Sequence, residues 1–163
     1  MRLFIAIKLN SEIQNTLADA QQRLIRRGIR GNYTNTDNLH VTLAFIGEYD
    51  DPDLITEVIS EVPFSPFSIS LSGFGHLGNL WWVGLNENDE LASYVKRLRK
   101  ALSEAGIPFD KRNFSPHITL IRKAVGTLPL VSIPKSKMKV DHISLMRSER
   151  GANGMIYTEI GRN

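Results

Sequence analysis

The chain contains four histidines, and two of them stand in nearly the same phrase. Leu39-His40-Val41-Thr42-Leu43 and Pro116-His117-Ile118-Thr119-Leu120 share the order His, β-branched aliphatic, Thr, Leu. Both phrases are apolar enough to read as β-strands. Strand side chains alternate, so His and Thr two residues apart project to one face, and the aliphatic residues between and after them point to the core. Each copy therefore offers one imidazole and one hydroxyl from a rigid backbone. Two copies, one in each half of the chain, predict a pseudo-symmetric cleft with a His-Thr pair on either wall. Such a cleft suits chemistry at phosphorus. In-line displacement needs a base on one side and an acid on the other, and imidazole, with a pKa of about 6.5, serves as either. Threonine hydroxyls donate to non-bridging phosphoryl oxygens as charge builds on them.

A single histidine in a strand is ordinarily a packed or surface residue, and one His-x-Thr alone carries little information. The weight lies in the duplication, which uses half of the histidines. A two-histidine metal site is the rival reading. Neither motif segment contains a carboxylate, so further ligands must come from elsewhere, and no metal or cofactor is expected. Arg122 follows His117 by five residues. That odd spacing puts it on the opposite face of an unbroken strand, and a strand end or bulge is needed to bring it to a phosphate. His76, after Phe74-Gly75 in an expected loop, and His142, in an expected strand, read as structural or surface residues. Lys111 and Arg112 read as solvated charge, with steering of phosphates as the alternative.

The elements that must carry these groups fit one domain over residues 1–163, built from two similar lobes. The chain has 163 residues, no cysteine and a net charge of +3. The lack of cysteine excludes disulfide scaffolds, thiol nucleophiles and cysteine-ligated metal sites. A pI near 9.3 permits a phosphate-bearing partner. The apolar run Leu3 to Ile7 is of strand length, far below the ~20 residues of a spanning helix, and lacks the features of an export signal. A cytoplasmic monomer without membrane contact is expected.

Leu3 to Leu9 reads as a buried strand. Ser11 with Gln14 resembles a capping box, and Ile13, Leu17, Ala20 and Leu24 recur at helical spacing up to Gly28. Arg23, Arg26 and Arg27 complement the negative end of that helix, with contact to a polyanion as the alternative. Leu39 to Ile46 is a strand. Asp51-Pro52 opens a second helix, with Leu54, Ile55, Val58, Ile59 and Val62 on its apolar face. Phe67 to Leu71 and Leu80 to Leu85 are strands. A third helix begins near Asp89, with Leu91, Val95, Leu98, Leu102 and Ala105 as its buried stripe and Lys96, Arg97, Arg99 and Lys100 mostly facing away. Ile118 to Arg122, Met138 to Arg147 and Met155 to Ile160 are the last strands, and Gly151-Ala152-Asn153-Gly154 turns the final hairpin. Three helices and seven or eight strands in mixed order make the class α+β.

At these residues the sequence resembles the 2H phosphoesterase superfamily, named for two His-x-Thr motifs. It is similar to the LigT-like branch, the RNA 2′,3′-cyclic phosphodiesterases, also called 2′-5′ RNA ligases. The matching stretches are Arg2 to Ile7, Leu39 to Gly47, Leu80 to Leu85 and Phe114 to Arg122, and the resemblance covers nearly the whole chain. It implies a bilobal α+β fold in which two antiparallel sheets flank a central groove with helices outside. It implies metal-independent hydrolysis of RNA ends bearing a 2′,3′-cyclic phosphate to 2′-phosphomonoesters. By the same resemblance His40 is the proton donor to the leaving 3′ oxygen and His117 the proton acceptor that activates water. Thr42, Thr119 and Arg122 would hold the phosphate. Phe4, Trp81 and Trp82 are candidates for base stacking, which is worth about 1–3 kcal/mol per base, with a place in the core as the alternative for Phe4. Adjacent strand residues face opposite ways, so one tryptophan is expected in the core and the other in the groove. Tyr157 is a further candidate at the groove. A non-catalytic RNA-binding module and a 2′-5′ RNA ligase running the reverse step are the alternatives.

Overall fold

The computed structural model describes residues 1–129 and 131–163 of the chain. Two antiparallel sheets carry the two motif strands. The first has the order β3 (His40–Glu48), β1 (Arg2–Lys8), β8 (Ser144–Gly151), β9 (Gly154–Arg162). The second has the order β2 (Arg30–Tyr33), β6 (His117–Val125), β5 (Leu80–Leu85), β4 (Phe67–Leu77), β7 (Lys137–Val140). The class is α+β, as expected. Three α-helices accompany the sheets: α1 (Ser11–Arg26), α2 (Pro52–Glu61) and α3 (Asp89–Glu104). The main core lies between these helices and the sheets. It takes Ile13, Leu17 and Leu24 from α1, Ile55 and Ile59 from α2, and Leu91, Leu98 and Leu102 from α3. The motif strands give it Val41, Leu43, Ile118 and Leu120, the residues assigned to the core by alternation.

Each helix begins on a side-chain cap. Asn10 Oδ1 accepts from Ile13 N at 2.9 Å, Asp51 Oδ1 from Leu54 N at 3.1 Å, and Asn88 Oδ1 from Leu91 N at 3.0 Å. The cap of α1 is therefore Asn10, one residue before the expected Ser11. Asparagine is at least as good an acceptor there, so the capping-box spacing misplaced the start by one. Gly28, at φ +82°, turns the chain away after α1, where a side chain would be strained. Ala105 falls outside the buried stripe of α3, as its exposed C-terminal cap, and Tyr94 takes a place in that stripe.

Two expected strands change, and one strand was not expected. The segment Met138 to Arg147 is two strands: β7 pairs with β4 in one sheet and β8 with β1 in the other. The link Asp141 to Ile143 crosses between sheets, and His142 belongs to it, its Nδ1 bonded to Asp141 Oδ1 at 2.6 Å. An apolar run shared by two sheets looks continuous in sequence, which is why the break was invisible. The strand at Phe67 extends to Leu77, so His76 is an exposed strand residue opposite Trp81. The short polar strand β2 carries no hydrophobic signal, and it brings the described strands to nine.

Candidate active site

Both motif strands are interrupted at the same place. Along β3, Ala44 pairs with Ile5 and Thr42 with Ala6, so Leu43 is an extra residue. Along β6, Ile121 pairs with Trp81 and Thr119 with Trp82, so Leu120 is extra. A bulge of this kind shifts the alternation by one residue. Burial follows it: Leu43 and Ala44 are both buried, as are Leu120 and Ile121. The next residues, Phe45 and Arg122, then fall on the same face as the His-Thr pairs. Arg122 thus reaches the groove despite its odd distance from His117.

His40, Thr42, Phe4, Tyr157 and Arg122 line one cleft of about 590 Å³. Arg122 comes from the second sheet and the rest from the first, so the cleft spans the seam between them. His117 and Thr119 share the face of β6 that carries Arg122, but they are not among the residues that line this cleft. Phe45, Arg2, Arg147, Arg150, Glu48 and Met155 also line the cleft and were not picked out from the sequence. The guanidinium of Arg2 sits 4.8 Å from the Phe45 ring centroid. Phe45 was hidden by the unseen bulge, and the duplicated phrase was the signal for it: Phe45 stands to His40 as Arg122 stands to His117.

The two imidazoles are held alike. His40 Nδ1 lies 2.6 Å from the carbonyl of Asn38, and His117 Nδ1 lies 2.7 Å from the carbonyl of Ser115. A carbonyl only accepts, so Nδ1 is the protonated donor in both rings and Nε2 is left for proton transfer. His40 Nε2 lies 2.9 Å from Thr42 Oγ1, whose hydroxyl donates to the neutral ring. Burial pushes the pKa of His40 down from 6.5, and the positive charges of Arg122 and His117 push the same way; the Asn38 carbonyl opposes them.

Phe4 is only 4% exposed, with its ring centroid 4.9 Å from His40 and 5.0 Å from Tyr157. It buttresses His40 at the cleft floor. Tyr157 meets His40 edge-on at 5.4 Å. The two tryptophans divide as strand alternation requires. Trp81 is 4% exposed in the core, out of reach of a ligand. Trp82 is partly exposed, 5.9 Å from His117 between ring centroids. Its indole lies over Gly75, where a Cβ would come within 2.0 Å of the ring. Lys111 and Arg112 are exposed, and Arg112 pairs with Asp110. Arg23 donates to the carbonyl of Ser132 at 3.0 Å. Among the described residues, no group of three or more His, Asp or Glu side chains is placed to hold a metal ion. No helix among them is long and apolar enough to cross a membrane.

Two antiparallel sheets, each carrying one His-x-Thr strand, with His40 and Thr42 of the first and Arg122 of the second lining a cleft at their seam, define a protein of the two-histidine phosphoesterase type. The chain belongs to the 2′-5′ RNA ligase superfamily, whose family model matches residues 9–152. It is 34% identical to the RNA 2′,3′-cyclic phosphodiesterase of Archaeoglobus fulgidus, over 98% of each chain. It is 30% identical to the RNA 2′,3′-cyclic phosphodiesterase of Thermotoga maritima, over 96% of this chain and 91% of that one. Among solved structures it is similar to Escherichia coli LigT complexed with 3′-AMP, with a TM-score of 0.85 and 27% identity over 99% of this chain and 96% of that one.

Proposed function

We propose that the protein is an RNA 2′,3′-cyclic phosphodiesterase. The observation that carries the reading is the matched pair of imidazoles, each with Nδ1 tied to a backbone carbonyl and Nε2 left to exchange a proton. Its curated relatives carry that activity in their names, over nearly the full length of this chain. Residues 1–163 act as one unit, and each lobe supplies one motif.

In the proposed step His117 Nε2 takes a proton from water, whose oxygen attacks phosphorus. The bond from phosphorus to the 3′ oxygen breaks, and His40, as imidazolium, gives that oxygen its proton. The product is a 2′-phosphomonoester with a free 3′ hydroxyl. Thr42, Thr119 and Arg122 hold the non-bridging oxygens as negative charge grows on them. Phe4 fixes His40, and Trp82 offers an indole beside His117 for a base. A low-polarity floor under His40 favours the neutral ring, which is the form left once the proton has been transferred.

The test is turnover of 2′,3′-cyclic AMP and of a short RNA with a cyclic phosphate end, in EDTA. Turnover that ignores the chelator and yields 2′-phosphate supports the reading. RNA binding without product on any substrate would contradict it. A monomeric state and a cytoplasmic location go with the reading, and sedimentation and cell fractionation check them.

A further inference from the structure

We propose that Gln21 of α1 and Arg99 of α3 are positioning residues that grip the bulged leucines of the two motif strands, and so hold Arg122 and Phe45 on the groove face. This rests on the acid–base reading of the groove and adds two residues remote from it.

A bulge takes one residue out of the regular ladder, and the polar groups it frees need partners when buried. In β6 the residue left out of the pairing with β5 is Leu120. Its carbonyl accepts from Gln21 Nε2 at 3.1 Å and from Thr34 N at 2.9 Å. The same Nε2 donates to the carbonyl of Thr34 at 2.9 Å. Gln21 is 6% exposed, and both hydrogens of its amide are committed to these two carbonyls. In β3 the freed residue is Leu43. Its carbonyl accepts from Arg99 Nε at 3.2 Å and Nη2 at 3.0 Å, and Nη1 donates to the carbonyl of Arg112 at 2.7 Å. The Phe109 and Phe114 rings flank the guanidinium, each 5.7 Å away.

The two helices thus meet the two motif strands from behind at the same position of the repeated phrase. They use different side chains for the same contact. The spacing matters because a shift of one residue sends a strand's side chains to the other face. If the Leu120 bulge relaxes, regular alternation carries Arg122 away from the His117 face. The Arg99 fork also ties the Leu43 bulge to the loop that leads into the second motif, where Asp110 N donates to the carbonyl of Phe45 at 2.8 Å. Each clamp therefore registers one groove residue against its histidine.

The test is a double-mutant cycle read at His40, whose titration by NMR needs no turnover. The groups facing His40 are Thr42 and the Asn38 carbonyl on its own segment, Lys8 opposite on β1, Phe4, Tyr157, and the charges of Arg122 and His117. Arg122→Gln should move the His40 midpoint up. Gln21→Met should move it up comparably, and the double variant should move it no further. For a 2′,3′-cyclic mononucleotide, Gln21→Met should cost about tenfold to a hundredfold in kcat/KM alone, and little in the Arg122→Gln background. Additive losses, or a His40 midpoint unmoved by Gln21→Met, would overturn the proposal.

If Gln21→Met does not fold, the partly exposed Arg99 carries the test. Phe45→Ala takes a ring out of the cleft lining and should raise KM; Arg99→Met should raise it comparably, with no further rise in the double variant, and Arg99→Lys should recover part of the loss. Additive KM effects in that cycle would also overturn the proposal. If the wild-type protein turns over no cyclic phosphate, the functional reading fails on its own, and the His40 midpoints still decide on the clamps.

Discussion

Arg122 stands on the same face of β6 as His117, five residues earlier, because Leu120 bulges out of the ladder between them. A guanidinium there can take two phosphoryl oxygens at once, which a lysine cannot. Arg122→Gln should lower kcat/KM for a cyclic mononucleotide about a hundredfold, the scale of losing one charged donor to a developing oxyanion. Arg122→Lys should recover only part of it. Steady-state kinetics on the two variants checks this, and a fully active Arg122→Gln would remove the residue from the phosphate site.

The pH profile follows from the depressed pKa of His40. Its causes are burial, then the charges of Arg122 and His117. An acid works in its protonated form, which is lost as pH rises through the pKa. A pKa below 6.5 therefore starts the alkaline fall of kcat/KM below pH 6.5. Bound phosphate is negative and favours the imidazolium, so the corresponding limb in kcat should lie at higher pH. Arg122→Gln removes one depressing charge and should move the kcat/KM limb upward. Parallel profiles for kcat and kcat/KM would count against His40 as the acid.

Gly75 gives the second wall its test. A methyl group at Gly75 would enter the space of the Trp82 ring, which itself rests beside His117. Gly75→Ala should displace the indole and lower turnover of RNA more than that of a bare cyclic phosphate. Near-equal losses on both substrates would assign Trp82 to holding His117 instead of a base.

Tyr94 offers a stability test far from the chemistry. Its hydroxyl is buried without a hydrogen-bond partner among the described residues, and burial pushes its pKa up to about 12. The ring packs edge-on against Phe64 at 5.6 Å. Tyr94→Phe keeps that packing and removes an unpaired polar atom, so it should stabilise the fold by about 1 kcal/mol. Urea unfolding measures it, with activity unchanged.

The parts legible in the sequence were those with local causes. The His-Thr pairs, the division of Trp81 from Trp82 and the apolar faces of the helices follow from alternation and helical period. The parts that were not legible depend on partners. Leu43 and Leu120 look like ordinary strand leucines until their cross-strand neighbours are known. Arg99 reads as a solvent-facing cation on α3, yet it turns inward to the Leu43 carbonyl. The run from Met138 to Arg147 divides between sheets because each half meets a different neighbour.

The most direct measurement is kcat for a 2′,3′-cyclic nucleotide in EDTA with His40→Ala, His117→Ala and the double variant. Two imidazoles acting in one step predict a loss of about 10²–10⁴-fold for each single variant, with the double variant losing far less than the product of the two. Either single variant retaining wild-type kcat would contradict the two-histidine account.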